Sequence, residues 1–531
     1  MSSVAPAKSE VIKGRERLRR PPNAPSPRPS PNDARRRVKR AWADVWTKLV
    51  LAVLCSVLLF ARQITHMAGA DHRAEFQPDP LYRHALLCDV ALLTVAATAF
   101  GWLASRSRRR WVRRGYEHLF VLVLGSEVLS VAPWIGSSLR ASFLGWVVLA
   151  GVVLWSYVRG WGRLVRIARA AGLALSPAAP LILSQLAFWD DGRPSVSPAP
   201  ITAPARAERP VILLLFDEWG FSRSTDRDGE YRDDLRNLKA LAAQSFDFRG
   251  ARSQSLLTDE SVPHLLFQNA SRLSLKGGRF SLDGGKTAVD ASTPSLFRTA
   301  KSLGYETRLA GWHIPYDALF PGQLDSVVLA PNWPGLPGFG GQMALALALN
   351  LRYSYNPVVR ALQRPVYLQE YARRVDAVTE EGGRVLAACR PDTFLFLHSP
   401  LPHFPMIYRP DGTHNNWEIG YRANDYANQT AYADAVLGQL LTQLRASGRF
   451  DDALVVVTSD HGWREDPDPA FTRPTDRVHR VPLIVKWPGQ TTPRVVNGRF
   501  VTTRLGRLVE LAMRGGGESE AARLIGTLLE D

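Results

Sequence analysis

The sequence is poor in cysteine, with only Cys55, Cys88 and Cys389 in 531 residues. That scarcity excludes a disulfide-stapled scaffold, and two of the three fall in apolar runs. No internal repeat is present. Outside a few clusters the chain also lacks any surplus of positive charge. Its formal net charge is +17, from 66 Lys+Arg against 49 Asp+Glu. Residues 1–40 hold twelve Lys/Arg against three acids, Arg106, Arg108, Arg109, Arg110, Arg113 and Arg114 form a second cluster, and Arg159, Arg163, Arg166 and Arg169 a third. These clusters exceed the whole surplus, so the remainder is slightly acidic. A basic nucleic-acid-binding domain is thereby excluded. The length allows roughly two to four domains at about 150 residues each.

What is present is long apolar segments beside those arginines. Residues 85–104, 119–136, 141–158 and 170–189 are each about as long as a helix needs to cross the hydrocarbon layer. A shorter run, 49–61, reaches spanning length when counted from Ala43, with Lys48 snorkelling to the interface. It lacks the small-residue cleavage site of a signal peptide and reads as a retained first span. Positive residues stay cytoplasmic, which places 1–45, 106–116 and 159–169 inside and everything after Trp189 outside. Pro177 and Pro180 would kink the fifth span or turn it into a re-entrant hairpin. The expected organisation is a disordered basic, Pro-rich tail (1–42), a five-span membrane domain (43–189), a Pro/Ala/Ser-rich linker (190–209) and an outer domain (210–531).

The outer domain reads as α/β. Residues 211–216 (VILLLF), 393–397 (TFLFL), 453–457 (ALVVV) and 482–486 (PLIVK) are continuous apolar runs, the pattern of strands buried on both faces. Helical patterns at 235–244, 294–303, 427–447 and 501–514 lie between or after them, predicting a sheet with helices on both faces. Ligands of such sheets bind at the carboxyl ends of the strands. Three strands deliver polar groups there: Asp217-Glu218, the stretch His398 to His403, and Asp460-His461; His479 precedes the fourth strand. An acid after a strand also serves as a turn or helix cap. Acid or imidazole at three strand ends together favours a metal site, and carboxylate plus imidazole suits Zn²⁺ or Mn²⁺. Mg²⁺ and Ca²⁺ remain open, as does a count of one ion or two. Thr258, in LLTDESVPHLL, is placed as the N-cap of a helix beginning at Asp259, or as a nucleophile that a metal would activate.

The motifs VILLLFDEWG, LLTDESVPHLL, HSPLPHFPMIYRPDG, YANQTAYADAVLGQLLTQL, ALVVVTSDHGW and HRVPLIVKWPG, in this order, resemble the alkaline phosphatase/sulfatase superfamily over nearly all of residues 209–490. Thr258-x-x-Ser261-Val-Pro and the membrane anchor resemble its membrane-bound branch, which includes lipoteichoic acid synthases and lipid A phosphoethanolamine transferases. The resemblance implies an alkaline-phosphatase-like domain in which Asp217, Thr258, Asp460 and His461 hold a divalent metal. Thr258 is then the nucleophile, and His403 and His479 bind substrate or a second metal. Arg480 stands between His479 and Val481, loosening that last match. The Cys/Ser-x-Pro-x-Arg signature of true sulfatases is absent, so no formylglycine can form at Thr258.

The functional expectation is transfer of a phosphoryl-linked headgroup to an envelope lipid or glycan, with a membrane lipid or lipid-linked substrate as partner. Hydrolysis of phosphate or sulfate esters, and a catalytically dead receptor or scaffold, are the alternatives. Asp259 and Glu260 either turn away from the phosphate or face a substrate that carries a cation. Glu218 reads as a second-metal ligand or an exposed strand-end acid. His264 and His313 read as structural or peripheral contacts or as part of the site lining, Asp434 as a solvated or inter-element contact, and residues 343–349 (MALALAL) as core packing or a segment resting on the membrane. Asp89 and Glu127 are ionisable groups inside apolar runs, an expensive placement that points to function or to the interface.

Overall fold

The computed structural model describes residues 31–68, 80–131, 151, 160–188 and 207–530, except 227–228, 269–273, 277–278, 283–286, 331–338, 342, 345–346, 348–356, 416–421 and 465–478. The expected fourth span, most of the linker and most of the basic tail lie outside the described residues. Before residue 190 the described residues include the helices α1 (Pro31–Ala68), α2 (Pro80–Arg106), α3 (Arg110–Val131), α4 (Trp161–Leu175) and α5 (Ala178–Ser184). Among the described residues two stretches are long and apolar enough to cross a membrane, Arg35–Ala61 and Arg83–Arg106. A third counts if α4 and α5, which meet at 42°, form one broken span. The bend falls at Pro177, as a ring that cannot donate to the helix ladder requires.

One expectation is corrected by these helices. Helix α1 starts at Pro31, inside the stretch read as disordered up to residue 42. Proline costs little at a first helical position, and Ala34 to Arg40 is dominated by strong helix formers. Helix α3 carries residues 119–131 of the expected third span, and the rest of that span lies outside the described residues; as described, α3 begins at Arg110 and includes Arg113, Arg114 and Glu117, and is not among the stretches long and apolar enough to span. Around α1 a small core forms from Leu54, Phe60, Ile64, Leu86, Leu124, Val165 and Leu186. Lys48 is buried in this bundle, bonding Asp44 and, at 3.1 Å, Ser105 Oγ instead of merely snorkelling.

The outer domain is built on an eight-stranded sheet ordered β11-β2-β10-β9-β1-β8-β6-β7. Its strands are β1 (Val211–Asp217), β2 (Phe246–Arg252), β6 (Glu306–Gly311), β7 (Ser326–Leu329), β8 (Thr393–Pro402), β9 (Leu454–Ser459), β10 (Leu483–Lys486) and β11 (Arg494–Val501). A separate antiparallel sheet holds β3 (Ser274–Lys276), β4 (Arg279–Leu282) and β5 (Thr287–Ala288). In the main sheet only β10 runs antiparallel to its neighbours, β9 and β2. Its apolar run looks like those of the parallel strands because both faces are covered either way. It starts at the edge where β9 ends, with Leu483 opposite Thr458, so no crossover to the far edge is needed.

Strand β1 is wholly buried and divides the core. Val211, Leu213 and Leu215 face one apolar layer, under α7 (Thr258–Phe267), α8 (Leu296–Ser302), α12 (Leu505–Met513) and α13 (Glu518–Leu528). Ile212, Leu214 and Phe216 face the other, under α6 (Arg236–Ala242), α10 (Pro357–Ala387) and α11 (Ala423–Ala446). Alternation with period two is what lets one strand serve two cores. Helix α10 was not foreseen, because Pro365 and the Gly382-Gly383 pair break its helical pattern. Gly382 is needed there: a Cβ would come within 2.1 Å of Leu397 on β8.

Asp434 of α11 is the inter-element contact expected of it. Its carboxylate accepts the backbone N–H of Asn237 at 3.0 Å and of Leu238 at 2.7 Å, satisfying first-turn donors of α6 across the core. Asp434→Ala is expected to destabilise the full-length protein by about 1–3 kcal/mol, with Asp434→Asn recovering part of the loss, as read by denaturant unfolding followed by tryptophan fluorescence.

Candidate active site

The two strands that flank β1 bring the site together. Phe216 pairs with Ser459, so the next residues along each strand, Asp217 and Asp460, emerge side by side at the carboxyl edge. Asp217 is buried and neither of its carboxylate oxygens has a hydrogen-bond partner. Burial, reinforced by the neighbouring Asp460 and Glu218 charges, holds its carboxyl well above the usual range. A carboxylate placed so asks for a cation.

Asp460 sits in the opposite electrostatic situation. Burial works against its ionisation, but His461, His398 and the N–H of Glu218 bring its carboxyl down to about 2. Its Oδ1 accepts the backbone N–H of His461 at 2.7 Å and of Glu218 at 2.9 Å; Oδ2 accepts the Thr258 hydroxyl at 2.7 Å. Next to it His461 Nδ1 donates to the Gly462 carbonyl at 2.9 Å. That bond fixes the tautomer and leaves the Nε2 lone pair facing inward, 3.3 Å from Asp460 Oδ2, 3.4 Å from Thr258 Oγ1 and 4.0 Å from Asp217 Oδ1.

Thr258 opens α7, and the helix cap is Leu257, which makes no side-chain capping bond. The capping role expected for Thr258 is therefore not the one it has. Its single hydroxyl proton goes to the Asp460 carboxylate, a charge-assisted bond stronger than one to a backbone group. Of the two acids behind it, Glu260 accepts the Ser255 hydroxyl at 2.7 Å and is turned toward that loop. Ligand atoms of Asp217, Asp460 and His461 all lie within 4.8 Å of one another, forming a buried group that could hold a metal ion. The donor set fits: two carboxylates, one without partners, and an imidazole with its lone pair free.

The remaining sequence candidates divide around this group. Glu218 is buried at a left-handed backbone angle, φ 63°, and its Oε1 accepts the backbone N–H of Arg464 at 3.0 Å and Arg464 Nε at 3.1 Å. The exposed strand-end reading of Glu218 is thus set aside. Tyr426 fixes this turn, donating to the Glu218 carbonyl and accepting Gly220 N–H, both at 2.8 Å. His403 is carried in by α10 and α11: its carbonyl accepts Tyr371 Oη at 2.6 Å and Gln429 Nε2 at 2.8 Å. Its Nδ1 meets the Phe404 carbonyl at 2.6 Å, its Nε2 meets Arg464 Nη2 at 3.0 Å, and burial lowers its pKa. His479 is not one of the three residues of the ligand group; it is half-buried against Ser253, whose carbonyl is 3.1 Å from Nδ1. His264 is buried within α7.

Two residues gained weight only in three dimensions. His398, seen in the sequence at a strand end without a role, is completely buried, with Nδ1 2.7 Å from the Tyr316 hydroxyl and Nε2 3.8 Å from Asp217 Oδ2. Burial pushes it down to about 4, so it faces Asp217 as a neutral imidazole. Arg464 carried no signal: it lies beyond the Asp-His-Gly triplet in a loop. His313, at φ 68°, stands near these histidines; burial and their proximity push it down to about 3.

A buried metal-ligand group at strand ends, with a threonine at a helix start, defines a class, and residues 209–503 match the model of the Sulfatase family. The chain belongs to that family. Over 70 residues it is 30% identical to the inner membrane protein YejM of Salmonella typhimurium and of Salmonella typhi, a stretch that is 13% of this chain and spans only 12% of those relatives. Among solved structures, the phosphonate monoester hydrolase of Agrobacterium radiobacter is 18% identical, aligned over 58% of this chain and 73% of its own, with TM-score 0.39. The lipoteichoic acid synthase LtaP of Listeria monocytogenes is 15% identical, over 61% and 76%, with TM-score 0.38.

The raised pKa of Asp217 carries its own test. Without a cation its folded pKa exceeds its unfolded one, so its ionisation detracts from stability as pH rises. Asp217→Asn is expected to abolish divalent-metal binding yet raise the melting temperature of the metal-free protein at neutral pH. Metal uptake by the unmodified protein is expected to release protons, measured by calorimetry in two buffers of different ionisation enthalpy. A lower melting temperature in the metal-free variant would contradict this account of Asp217.

Proposed function

We propose that this chain is a membrane-anchored, metal-dependent transferase that moves a phosphoryl-linked headgroup onto an envelope lipid or glycan through Thr258. The observation that carries the reading is the Thr258 hydroxyl, buried at the start of α7, 2.7 Å from Asp460 Oδ2 and 3.4 Å from His461 Nε2. A Zn²⁺ or Mn²⁺ ion held by Asp217, Asp460 and His461 would lower the pKa of that hydroxyl and neutralise charge on the phosphoryl group. Asp460 orients the hydroxyl and, being strongly acidic, stays ionised throughout. The first-turn N–H groups of α7 and its dipole receive a non-bridging oxygen. Thr258 Oγ1 bonds to phosphorus while the phosphorus–oxygen bond to the leaving group breaks, and the proton given up by Thr258 ends on the leaving oxygen, which departs as an alcohol. An acceptor hydroxyl then attacks from the opposite side, the bond from phosphorus to Thr258 Oγ1 breaks, and the acceptor's proton passes to Thr258.

Several features support a membrane setting. The arginine clusters alternate with arginine-poor loops, α1 and α2 are long and apolar enough to span, and the relatives matched over 70 residues are described as inner membrane proteins. The N-terminus then lies in the cytoplasm and the catalytic domain outside, where a lipid donor or acceptor is within reach.

Mass spectrometry of purified full-length protein incubated with labelled phospholipids is expected to find a phosphoryl-linked adduct on Thr258. Thr258→Ala should abolish both the adduct and the movement of label onto lipid or glycan, a loss on the order of 10³-fold or more. Release of label only into water, with every acceptor supplied, would replace transfer by hydrolysis. A reporter enzyme fused after Asp531 and active only when exported is expected to be active. Activity only from a cytoplasm-dependent reporter would reverse the orientation.

A further inference from the structure

On β8 the ring of His398 lies between a phenol and a carboxyl. Its Nδ1 is 2.7 Å from the hydroxyl of Tyr316, and its Nε2 is 3.8 Å from Asp217 Oδ2. All three side chains are withdrawn from water. Tyr316 opens the short helix α9 (Tyr316–Leu319) after β6. Its ring packs against Phe320 and Phe396. Gly311 makes room for it, since a Cβ there would come within 3.0 Å of the Tyr316 ring and 3.5 Å of the His398 Cβ. A phenylalanine would satisfy these apolar contacts equally well. Only the hydroxyl needs a further reason, because a buried hydroxyl is costly unless it is hydrogen-bonded.

Counting donors and acceptors decides which way this line of groups points. A completely buried imidazole stays neutral and carries one proton. Among the described residues, the hydrogen-bond partner of the Tyr316 hydroxyl is His398 Nδ1. If Nδ1 carried the ring proton, it would donate to the phenol oxygen and leave the phenol proton buried without an acceptor. The bare Nε2 lone pair would then face an ionised Asp217, acceptor against acceptor. With the ring proton on Nε2, Tyr316 donates to Nδ1 and an N–H faces Asp217 Oδ2. Every proton in the line then points at an acceptor. At 3.8 Å the last step is longer than a hydrogen bond, so the N–H acts on the carboxylate as a dipole, in an interior that screens it weakly. The other oxygen, Oδ1, lies 4.0 Å from His461 Nε2, on the side of the ligand group. The His398 N–H thus holds Oδ2 back and leaves Oδ1 for an ion.

We infer that Tyr316 is a positioning residue of the metal site: by donating to His398 Nδ1 it fixes the tautomer whose Nε2–H holds Asp217 for ligation through Oδ1 alone. The inference rests on the reading of Asp217, Asp460 and His461 as metal ligands and adds two residues that act through Asp217. Nitrogen-15 NMR of full-length protein in detergent, labelled at histidine, reads the tautomer directly, the His398 signals being those lost in His398→Gln. His398 is expected to carry its proton on Nε2 both with Zn²⁺ and without it. In Tyr316→Phe, which keeps the ring and its packing, the Nδ1 signal should shift to that of an unbonded lone pair, which a merely space-filling phenol would not cause. Chelator competition is expected to show Zn²⁺ affinity lowered about tenfold or more in Tyr316→Phe and further in His398→Leu. His398→Gln, whose amide offers an N–H near the place of Nε2, should recover part of that loss. If His398→Leu fails to fold, Tyr316→Phe carries the comparison. A proton on Nδ1 in the unmodified protein, an unmoved Nδ1 signal, or unchanged Zn²⁺ affinity in Tyr316→Phe would overturn the inference. The two levels separate cleanly. A protein that takes up no Zn²⁺ yet keeps the proton on Nε2 supports the Tyr316–His398 line and defeats the metal site. Zn²⁺ uptake indifferent to Tyr316 defeats only the positioning role.

Discussion

Two carboxylates that water cannot reach, Asp217 and Asp460, stand next to each other because β1 and β9 pair in parallel with Phe216 opposite Ser459. Like charges in a low-dielectric interior repel strongly, and the surroundings treat the two unequally. Asp460 receives two backbone N–H groups and the Thr258 hydroxyl; Asp217 receives none. One is held ionised and the other is driven toward its neutral form until a cation arrives. The arrangement of the histidines around them, and of the helix that delivers Thr258, answers this imbalance.

The scaffold keeps that unequal pair fixed. Apolar layers on both faces of the sheet leave the strands no freedom to shift register, since a slip by one residue would exchange Leu213 and Leu215 with Leu214 and Phe216 between two packed cores. Helices α10 and α11 extend the same rigidity to the loop after β8, where Tyr371 and Gln429 hold the His403 carbonyl. Ser459 does so after β9, its hydroxyl accepting Trp219 N–H at 2.8 Å and donating to the His461 carbonyl at 2.7 Å. Groups two contacts away from the chemistry thus set which lone pairs point inward.

Charge is graded across the site as well. On the Asp217 side lie neutral His398 and carboxylate oxygens that no donor reaches; on the Glu218 side lies Arg464. Near this flank Tyr426 stacks on Trp463, ring centroids 4.3 Å apart, with Met406 packed against them.

By itself the sequence determined the α/β class, the apolar strands 211–216, 393–397 and 453–457, and the candidates Asp217, Thr258, Asp460 and His461. Those rest on local patterns: a buried strand must be apolar along its length, and the residues just past its end land at the sheet's edge. It equally marked the apolar helices near the N-terminus, because length and hydropathy are local properties. Only the tertiary structure decided that β10 runs against its neighbours, since a strand covered on both faces carries no mark of direction. It also decided that the Thr258 hydroxyl turns to Asp460 and not to its own helix, a choice between partners 202 residues apart. The same holds for His398 and Arg464. Nothing local distinguishes a histidine in a strand or an arginine in a loop; their roles arise from which charges the fold sets beside them.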